Sequence, residues 1–244
     1  MNLLIDIGNT LTKIGIYHNN KLIDNYNLPF LIISDINNIK NKFPDINNVI
    51  LSSVAGIKPE INEFLKNNFE NYIQLNSETK IPLEIIYKTR NTLGNDRIAG
   101  IVGANNIFPN TNVLVIDIGT AITYDFVNSK NQFLGGNISP GLTTRYKSLN
   151  NYTKNLPLLN WNENFELLGN TTKNAIISGV QNGIVFEIEG YINKMNKLYK
   201  NLKIILTGGD SILFEKIIKS TIFAELNLIF IGLNRILKYN VKNT

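Results

Sequence analysis

The 244-residue sequence contains no cysteine and lacks any long uninterrupted apolar run. Without cysteine, the chain forms no disulfide and offers neither a thiolate nucleophile nor a cysteine ligand for zinc. No apolar stretch reaches the roughly 18 residues that a membrane-spanning helix requires. Met1 is followed at once by a strand-like run that meets Asp6. We therefore expect no signal peptide, no membrane partner and a cytoplasmic location.

Histidine is nearly absent as well, since His18 is the only one in the chain. It lies in the polar segment "YHNNK", which is typical of a turn, and we expect its side chain to face solvent. A catalytic base in this protein must then be a carboxylate, a lysine or a tyrosine.

The excess of positive charge is small, with 24 Lys and Arg against 19 Asp and Glu, a formal net charge of +5. The lysines are scattered among asparagines and isoleucines, without a run of five or six like charges. We interpret them as solvated surface residues and expect no nucleic-acid partner. The apolar fraction of 43% over 244 residues is enough for one large core or for two lobes.

An internal repeat organises the chain. Residues 3–17 are LLIDIGNTLTKIGIY, and residues 114–128 are LVIDIGTAITYDFVN. The repeat matches three residue pairs: Asp6 with Asp117, Gly8 with Gly119, and Thr12 with Thr123. Each copy is an apolar run, a glycine-containing turn and a second alternating run, which predicts a β-hairpin. A spacing of 111 residues is too long for a solenoid repeat. It predicts two similar lobes, 1–112 and 113–244.

The remaining segments are typical of an α/β fold. Apolar periodicity predicts helices over 58–69 and 172–202. The segment "KIILTGGD", 203–210, predicts a strand that runs into a glycine turn, and "SILFEKIIKS", 211–220, predicts a helix after it. The glycine-rich segment "FLGGNISPGL", 133–142, is predicted as a loop that either lines a ligand or only connects two elements.

The two predicted hairpins place a carboxylate at the end of a strand, just before a turn whose glycine lets a ligand approach the backbone. This arrangement suits a phosphate group and its metal ion. Lys13 supplies a positive charge and Asp6 a possible ligand for Mg²⁺, directly or through water, while Thr10, Thr120 and the turn amides supply neutral donors. Turn geometry alone would explain one such hairpin. Two such hairpins, at equivalent positions of the internal repeat, favour a nucleotide-binding site. The chain has no Gly-x-x-x-x-Gly-Lys-Ser/Thr sequence, so ATP is not bound by a P-loop.

A second candidate segment is "YKTRNTLGNDRIAG", residues 87–100, where Asp96 and Arg97 follow Gly94 at an expected helix start. Phosphoryl transfer needs a carboxylate that accepts the proton of the acceptor hydroxyl, and Asp96 has the chemistry for it. Arg97 has the chemistry to pair with an acidic acceptor. The alternative is that Asp96 caps the helix and Arg97 is a surface residue.

Taken in order, the motifs "DIGNTLTK", "GNDR", "DIGTAITYD", "GGNISPG" and "TGGD" resemble type III pantothenate kinases over nearly the whole chain. That family belongs to the superfamily of acetate and sugar kinases, Hsp70 and actin. The resemblance implies an α/β fold of two similar ribonuclease-H-like lobes with a nucleotide cleft between them. It also implies the ATP-dependent phosphorylation of pantothenate to 4'-phosphopantothenate, the first step of coenzyme A biosynthesis.

The resemblance also implies a set of site residues. Those that match the family's ATP-binding positions are Asp6, Ile7, Gly8, Asn9, Thr10, Leu11, Thr12, Lys13 and Thr120. Those that match its pantothenate-binding positions are Tyr87, Gly94, Asn95, Asp96, Arg97 and Thr172, with Asp96 similar to the proton acceptor. Asp117 matches the position of a monovalent cation, K⁺ or NH₄⁺, and Mg²⁺ accompanies ATP. The resemblance further implies a homodimer, with Thr172 near the subunit contact.

Two alternative functions stay open at this stage. One is another small-molecule kinase, or a phosphatase, of the same superfamily. The other is a non-catalytic regulator that binds nucleotide or DNA, since fold alone does not guarantee turnover. All five motifs are present here, which favours an active enzyme.

Overall fold

The computed structural model describes residues 1–54 and 56–241. The strands are β1 (Asn2–Ile7), β2 (Thr12–His18), β3 (Lys21–Leu28), β4 (Asn48–Ser53), β5 (Asn71–Gln74), β6 (Glu84–Ile85), β7 (Val113–Ile118), β8 (Ala121–Val127), β9 (Gln132–Pro140), β10 (Lys203–Thr207) and β11 (Phe223–Ala224). The helices are α1 (Ile33–Lys42), α2 (Pro59–Asn68), α3 (Asn95–Ile107), α4 (Leu142–Tyr152), α5 (Thr172–Leu198), α6 (Ser211–Phe214) and α7 (Leu228–Val241).

The chain divides into two compact units, each discontinuous in sequence. The first consists of Met1–Asn110, Lys130–Leu134 and the chain from Asn227 onward, and the second of Thr111–Ser129 and Gly135–Leu226. These units differ from the predicted lobes 1–112 and 113–244 because residues 130–134 and α7 group with the N-terminal part.

The first unit is built on a sheet of order β3-β2-β1-β4-β5. β1 and β2 are antiparallel, as are β2 and β3, whereas β1, β4 and β5 run parallel. Apolar residues of β1 and β2 pack with those of α1 and α2 to form one core, which includes Leu3, Ile5, Ile14, Ile16, Ile36, Ile61 and Leu65. The helix predicted over 58–69 is confirmed as α2, and Phe69 is buried just beyond its end.

Helix α7 joins the first unit because it packs backbone to backbone on α3. A Cβ atom on Gly232 would collide with the carbonyl oxygen of Ala99, and one on Gly103 with the carbonyl oxygen of Leu228. Every residue of α3 from Arg97 to Ala104 is buried. The C-terminal helix therefore completes the N-terminal core, which hydrophobic periodicity alone did not predict.

The second unit repeats the strand order of the first, with β11-β10-β7-β8-β9. β7 is antiparallel to β8 and parallel to β10, as β1 is to β2 and β4. A stripe of buried residues on α5, Ile176, Val180, Ile184, Ile188 and Ile192, packs into its core. Both predicted hairpins are confirmed, and the internal repeat extends to the topology of the two sheets.

Three element predictions are wrong in detail. The segment 133–142 is not a loop, because β9 continues to Pro140 and α4 begins at Leu142. The helix predicted over 211–220 ends at Phe214. The backbone N–H groups of Lys219 and Ser220 donate to Glu189 Oε1 instead, at 2.6 and 3.1 Å. The long helix α5 ends at Leu198 rather than 202. In the described part of the chain, no helix combines the length and apolarity needed to cross a membrane.

Candidate functional site

Asp6 lies near the end of β1, between two polar residues of the neighbouring strands. The sheet register places it opposite Lys13 on β2 and Ser52 on β4. The Ser52 hydroxyl donates a hydrogen bond to Asp6 Oδ1 at 3.0 Å. Burial raises the pKa of Asp6 to about 6; the Ser52 hydrogen bond opposes this rise, the charge of Asp96 adds to it, and that of Lys13 opposes it. The ionised carboxylate is therefore poorly solvated, and a bound cation would stabilise its charge.

The turn after Asp6 is closed by its own backbone. The N–H of Gly8 donates to the carbonyl oxygen of Leu11 at 3.0 Å. Asn9, Thr10 and Leu11 are exposed at the tip. The predicted ATP-binding residues of the first motif thus form one continuous hairpin: Ile7 and Gly8 are half-buried, Thr12 is buried, and Lys13 is half-buried beside Asp6.

Asp96 lies in the first turn of α3, which begins at Asn95 with Gly94 as its N-cap. Its Oδ1 accepts the backbone N–H of Arg97 at 2.8 Å. A Cβ atom on Gly94 would collide with the same carboxylate oxygen, so the glycine makes room for it. Because the cap residue is Gly94, the alternative interpretation of Asp96 as the helix N-cap is wrong. The position in a helix's first turn still favours the carboxylate charge.

Asn95 fixes the start of α3 to the sheet. Its Nδ2 donates to the carbonyl oxygens of Ser53 and Leu75, at 3.1 and 3.0 Å. Ser53 is the last residue of β4, and Leu75 follows the last residue of β5. The amide hydrogens of Asn95 are thus engaged in positioning Asp96, and only its oxygen or backbone remains to contact an acceptor.

Tyr87 and Arg97 are neighbours in the first unit. The guanidinium carbon of Arg97 lies 5.9 Å from the centre of the Tyr87 ring, and Arg97 is itself buried. The Tyr87 ring is also 5.8 Å from the ring of Phe133, which is fully buried. Phe133 holds the segment through its backbone too, since its carbonyl oxygen accepts the N–H of Ile86 at 3.0 Å. The first unit therefore brings together Asp6, Lys13, Tyr87, Asp96 and Arg97 on neighbouring segments.

The second hairpin differs from the first by one residue in its turn. Asp117 is opposite Thr123, whereas Asp6 is opposite Lys13. The residue equivalent to Thr123 is thus Lys13 and not Thr12, and the sequence pairing of Thr12 with Thr123 is wrong. Four residues separate the last paired residues of the first hairpin, Ile7 and Thr12, and three separate those of the second, Ile118 and Ile122. Of the two hairpins, only the first has a positively charged side chain, that of Lys13, opposite its aspartate.

Asp117 is packed against the glycine turn that follows β10. Gly208 has a φ of +96°, and a Cβ atom there would lie 2.5 Å from Asp117 Oδ1. The backbone N–H of Asp210 donates to the carbonyl oxygen of Ile118 at 2.9 Å. Burial raises the pKa of Asp210 as well. The "TGGD" segment therefore lies directly against the second hairpin. The Asp117 carboxylate and the Ile118 carbonyl oxygen both lie close to Gly208.

Thr172 is in the second unit, at the first position of α5, where Thr171 caps the helix by accepting the N–H of Asn174 at 3.1 Å. It borders a cavity of about 630 Å³ between α4 and α5. The lining combines polar and apolar side chains: Arg145, Ser148, Leu149, Leu156, Thr172, Ala175, Ile176, Gly179 and Val180. The other predicted acceptor-binding residues belong to the first unit.

Metal binding by a preformed cage is not a feature of the residues described. Within 1–54 and 56–241, no group of three or more His, Asp or Glu side chains is placed to hold a metal ion. Mg²⁺ in nucleotide enzymes is commonly held by one or two carboxylates together with the phosphates. The desolvated carboxylate of Asp6 fits that pattern.

Sequence reasoning missed Ser52 and Phe133, which support Asp6 and Tyr87. Ser52 comes from β4, far in sequence from the motif that it supports. Phe133 begins the glycine-rich segment 133–142, but nothing in the sequence links that segment to Tyr87. His18 was correctly expected to be exposed.

A family model described as type III pantothenate kinase matches residues 2–194. The chain belongs to the type III pantothenate kinase family. It is 41% identical over 243 residues to the type III pantothenate kinase of Christiangramia forsetii, with 98% of this chain and 99% of that one covered. It is 42% identical over 246 residues to that of Cytophaga hutchinsonii, with 99% and 100% covered.

Solved structures agree with this family's fold. A Campylobacter jejuni protein described as a Baf family transcriptional activator is 26% identical, with a TM-score of 0.64 and coverage of 98% of this pantothenate kinase family member and 99% of that chain. A glucokinase from an Antarctic psychrotroph is 12% identical, with a TM-score of 0.55 and 98% of each chain covered. The predicted α/β fold of the sugar kinase, Hsp70 and actin superfamily is confirmed.

Proposed function

We propose that the protein phosphorylates pantothenate with ATP, giving 4'-phosphopantothenate and ADP in the first step of coenzyme A biosynthesis. Family membership supports this over the full chain. The structural observation that carries the proposal is the buried carboxylate of Asp6 opposite Lys13 on the first hairpin, together with Asp96 in the first turn of α3 of the same unit.

The Asp6–Lys13 hairpin and Thr120 bind the phosphates of ATP in this proposal. The tip of the first turn exposes Asn9, Thr10 and Leu11, so its amides and hydroxyl are accessible to a ligand. Lys13 contributes positive charge on the strand beside Asp6. Asp6 would hold Mg²⁺, directly or through its water, and the ion would neutralise negative charge on the phosphates.

Asp96 accepts the proton of the acceptor in the reaction that we propose. The primary hydroxyl oxygen of pantothenate attacks the γ-phosphorus, the bond to the β–γ bridging oxygen breaks, and ADP leaves. The hydroxyl proton passes to the Asp96 carboxylate. One of its oxygens already accepts the Arg97 N–H, which leaves the other oxygen for this task.

Tyr87, Gly94, Asn95, Arg97 and Thr172 bind the acceptor in this proposal. Arg97 is the natural partner of the pantothenate carboxylate, because a guanidinium forms strong paired hydrogen bonds with carboxylates. Its position against the Tyr87 ring restricts the directions that its side chain can take.

The test of this assignment uses the alcohol analogue of pantothenate, which keeps the hydroxyl and lacks the carboxylate. We expect Arg97→Gln to lower kcat/KM for pantothenate by about 10- to 100-fold, and for the alcohol by much less, since a hydrogen bond to a charged group contributes about 1.5–3 kcal/mol. Arg97→Lys, which keeps the charge, is the matched control. An equal loss with both acceptors would contradict the assignment of Arg97 to the carboxylate.

A monovalent cation, K⁺ or NH₄⁺, is proposed at Asp117. The half-buried carboxylate lies beside the Gly208 turn, next to the carbonyl oxygen of Ile118, and such oxygen ligands fit a hard cation. The cation would supply positive charge near the phosphate groups.

A homodimer in the cytoplasm is the proposed working form. Several large apolar side chains of the second unit are exposed, including Ile138, Tyr152, Leu167, Leu168 and Phe186. Exposed apolar residues that form a contiguous patch mark surfaces that bind another protein, and two-fold dimers are the commonest closed assembly. Light scattering that shows a fully active monomer at assay concentration would contradict the dimer.

A regulatory protein is the second candidate, favoured by the likeness to the protein described as a Baf family transcriptional activator. The net charge of +5 would suit DNA binding. Salt-sensitive DNA binding without nucleotide turnover would support this candidate against the kinase.

A further inference from the structure

The carbonyl oxygen of Thr120 accepts two hydrogen bonds from the start of α4. The backbone N–H of Gly141 donates to it at 3.0 Å, and the Thr144 hydroxyl donates to it at 2.7 Å. Gly141 is the N-cap of α4, so both donors come from the first turn of that helix. A carbonyl oxygen has two lone pairs. With both engaged, the peptide after Thr120 cannot rotate without breaking two bonds.

The two segments are also in direct backbone contact. A Cβ atom on Gly141 would collide with the carbonyl oxygen of Gly119 and would lie 2.8 Å from that of Thr120. Only glycine at 141 therefore allows the helix start to approach the turn so closely. The same hairpin end is held by the Asp210 N–H, which donates to the carbonyl oxygen of Ile118.

The first turn of α4 is itself anchored by Arg145. Its Nε donates to the carbonyl oxygen of Pro140 at 2.8 Å, and its Nη2 donates to the Ser139 hydroxyl at 3.1 Å and pairs with Glu187. Glu187 Oε1 also accepts the Tyr124 hydroxyl at 2.7 Å. The network joins α4 to α5, to the end of β9 and to β8, the strand that leaves the turn. Thr144 thus presents its hydroxyl from a fixed support.

We propose that Thr144 is a positioning residue for nucleotide binding. By holding the Thr120 carbonyl oxygen, it fixes the direction in which the Thr120 side chain and the turn amides meet the ATP phosphates. The proposal rests on the function proposed above, in which Thr120 contacts ATP. The Thr144 hydroxyl donates to the protein backbone, so its effect on ATP is transmitted through Thr120.

The test is the substitution Thr144→Val, which removes the hydroxyl and keeps the branched shape. Thr144→Ser keeps the hydroxyl and is the rescue variant. Thr143→Val makes the same chemical change at the exposed neighbouring position and is the matched control. The affinity for a non-hydrolysable ATP analogue is measured by calorimetry, together with KM for ATP, KM for pantothenate and the melting temperature.

We expect Thr144→Val to weaken nucleotide binding by about 3- to 10-fold, the loss of one hydrogen bond, and to leave KM for pantothenate within about twofold. Thr144→Ser and Thr143→Val should bind the analogue as the unaltered chain does. If Thr144→Val does not fold, Thr144→Ala is measured in its place with the same expectation.

Unchanged nucleotide affinity in Thr144→Val would overturn the proposal, as would an equal loss for both substrates that serine does not restore. Calorimetry separates this result from the proposed function. An unaltered chain that binds the analogue but does not phosphorylate pantothenate would refute the proposed reaction, while the variants would still decide the role of Thr144. An unaltered chain that binds no nucleotide would overturn both.

Discussion

Asp6 should make the folded protein less stable as its carboxylate ionises. Burial raises its pKa from the ordinary value of 3.8 to about 6. Between these two values, the folded chain binds more protons than the unfolded chain, so the free energy of unfolding falls as the pH rises. The effect is complete above about pH 7 and absent below about pH 3. A residue retained at such a cost to stability is typical of a functional site.

The magnitude follows from the shift of about two pKa units. Each unit corresponds to 1.36 kcal/mol, so the ionised Asp6 lowers the free energy of unfolding by about 3 kcal/mol at pH 8, and by about half of that at pH 5. Asp6→Asn abolishes this titration. Relative to the unaltered chain, the variant should therefore gain about 1–2 kcal/mol between pH 5 and pH 8.

The assay is urea-induced unfolding of both proteins at several pH values, in buffer that contains a chelator and no nucleotide. The buried amide that replaces the carboxyl group also changes the free energy of unfolding, but by the same amount at every pH. The pH dependence of the difference between the two proteins therefore reports the titration of Asp6 alone. Asp24→Asn is the control. The Lys42 hydrogen bond, followed by that of Tyr26, lowers the pKa of Asp24 from its ordinary value of 3.8. This carboxyl is therefore ionised in both states between pH 5 and pH 8, and the difference between Asp24→Asn and the unaltered chain should stay constant over that range and shrink only at lower pH. If the difference between Asp6→Asn and the unaltered chain stays constant with pH, burial does not raise the pKa of Asp6.

Three further predictions concern the reaction. Asp96→Asn should lower kcat by about 10²-fold, near the lower end for loss of a general base, and leave nucleotide affinity unchanged; near-normal kcat would refute its role. Gly141→Ala should weaken nucleotide binding and lower the melting temperature, because its Cβ would collide with Gly119. Gly190→Ala, in open space on α5, should do neither. Equal effects of the two substitutions would contradict the close approach of Gly141 to Gly119. Activity should require K⁺ or NH₄⁺, with Na⁺ a poor substitute; an Asp117→Asn variant unaffected in K⁺ would exclude that site.

The hairpins and the long helix could be predicted because their signals are local. The Asp-Ile-Gly turns follow uninterrupted apolar strands, and α5 carries apolar residues at helical spacing over its whole length. The equivalence of Thr12 and Thr123 failed because the two turns differ by one residue, and only the strand register reveals that difference.

Other features depend on contacts between distant segments. The packing of α7 on α3 rests on Gly103 and Gly232, which are 129 positions apart, and no periodicity predicts that pair. Ser52 reaches Asp6 only because β4 lies beside β1. The backbone at Lys219 and Ser220, after α6, is held by Glu189 of another helix. Within the candidate site, the motifs themselves were visible in the sequence, whereas the residues that support them were not.

Pantothenate kinase activity is measured directly as ADP release from the purified protein with ATP, Mg²⁺ and K⁺, with and without pantothenate. Mass spectrometry of the same reaction identifies the product. We expect ADP release to depend on pantothenate, with one 4'-phosphopantothenate formed for each ADP. ADP release that ignores pantothenate, or that responds instead to another acceptor such as a sugar or acetate, would contradict the proposed function.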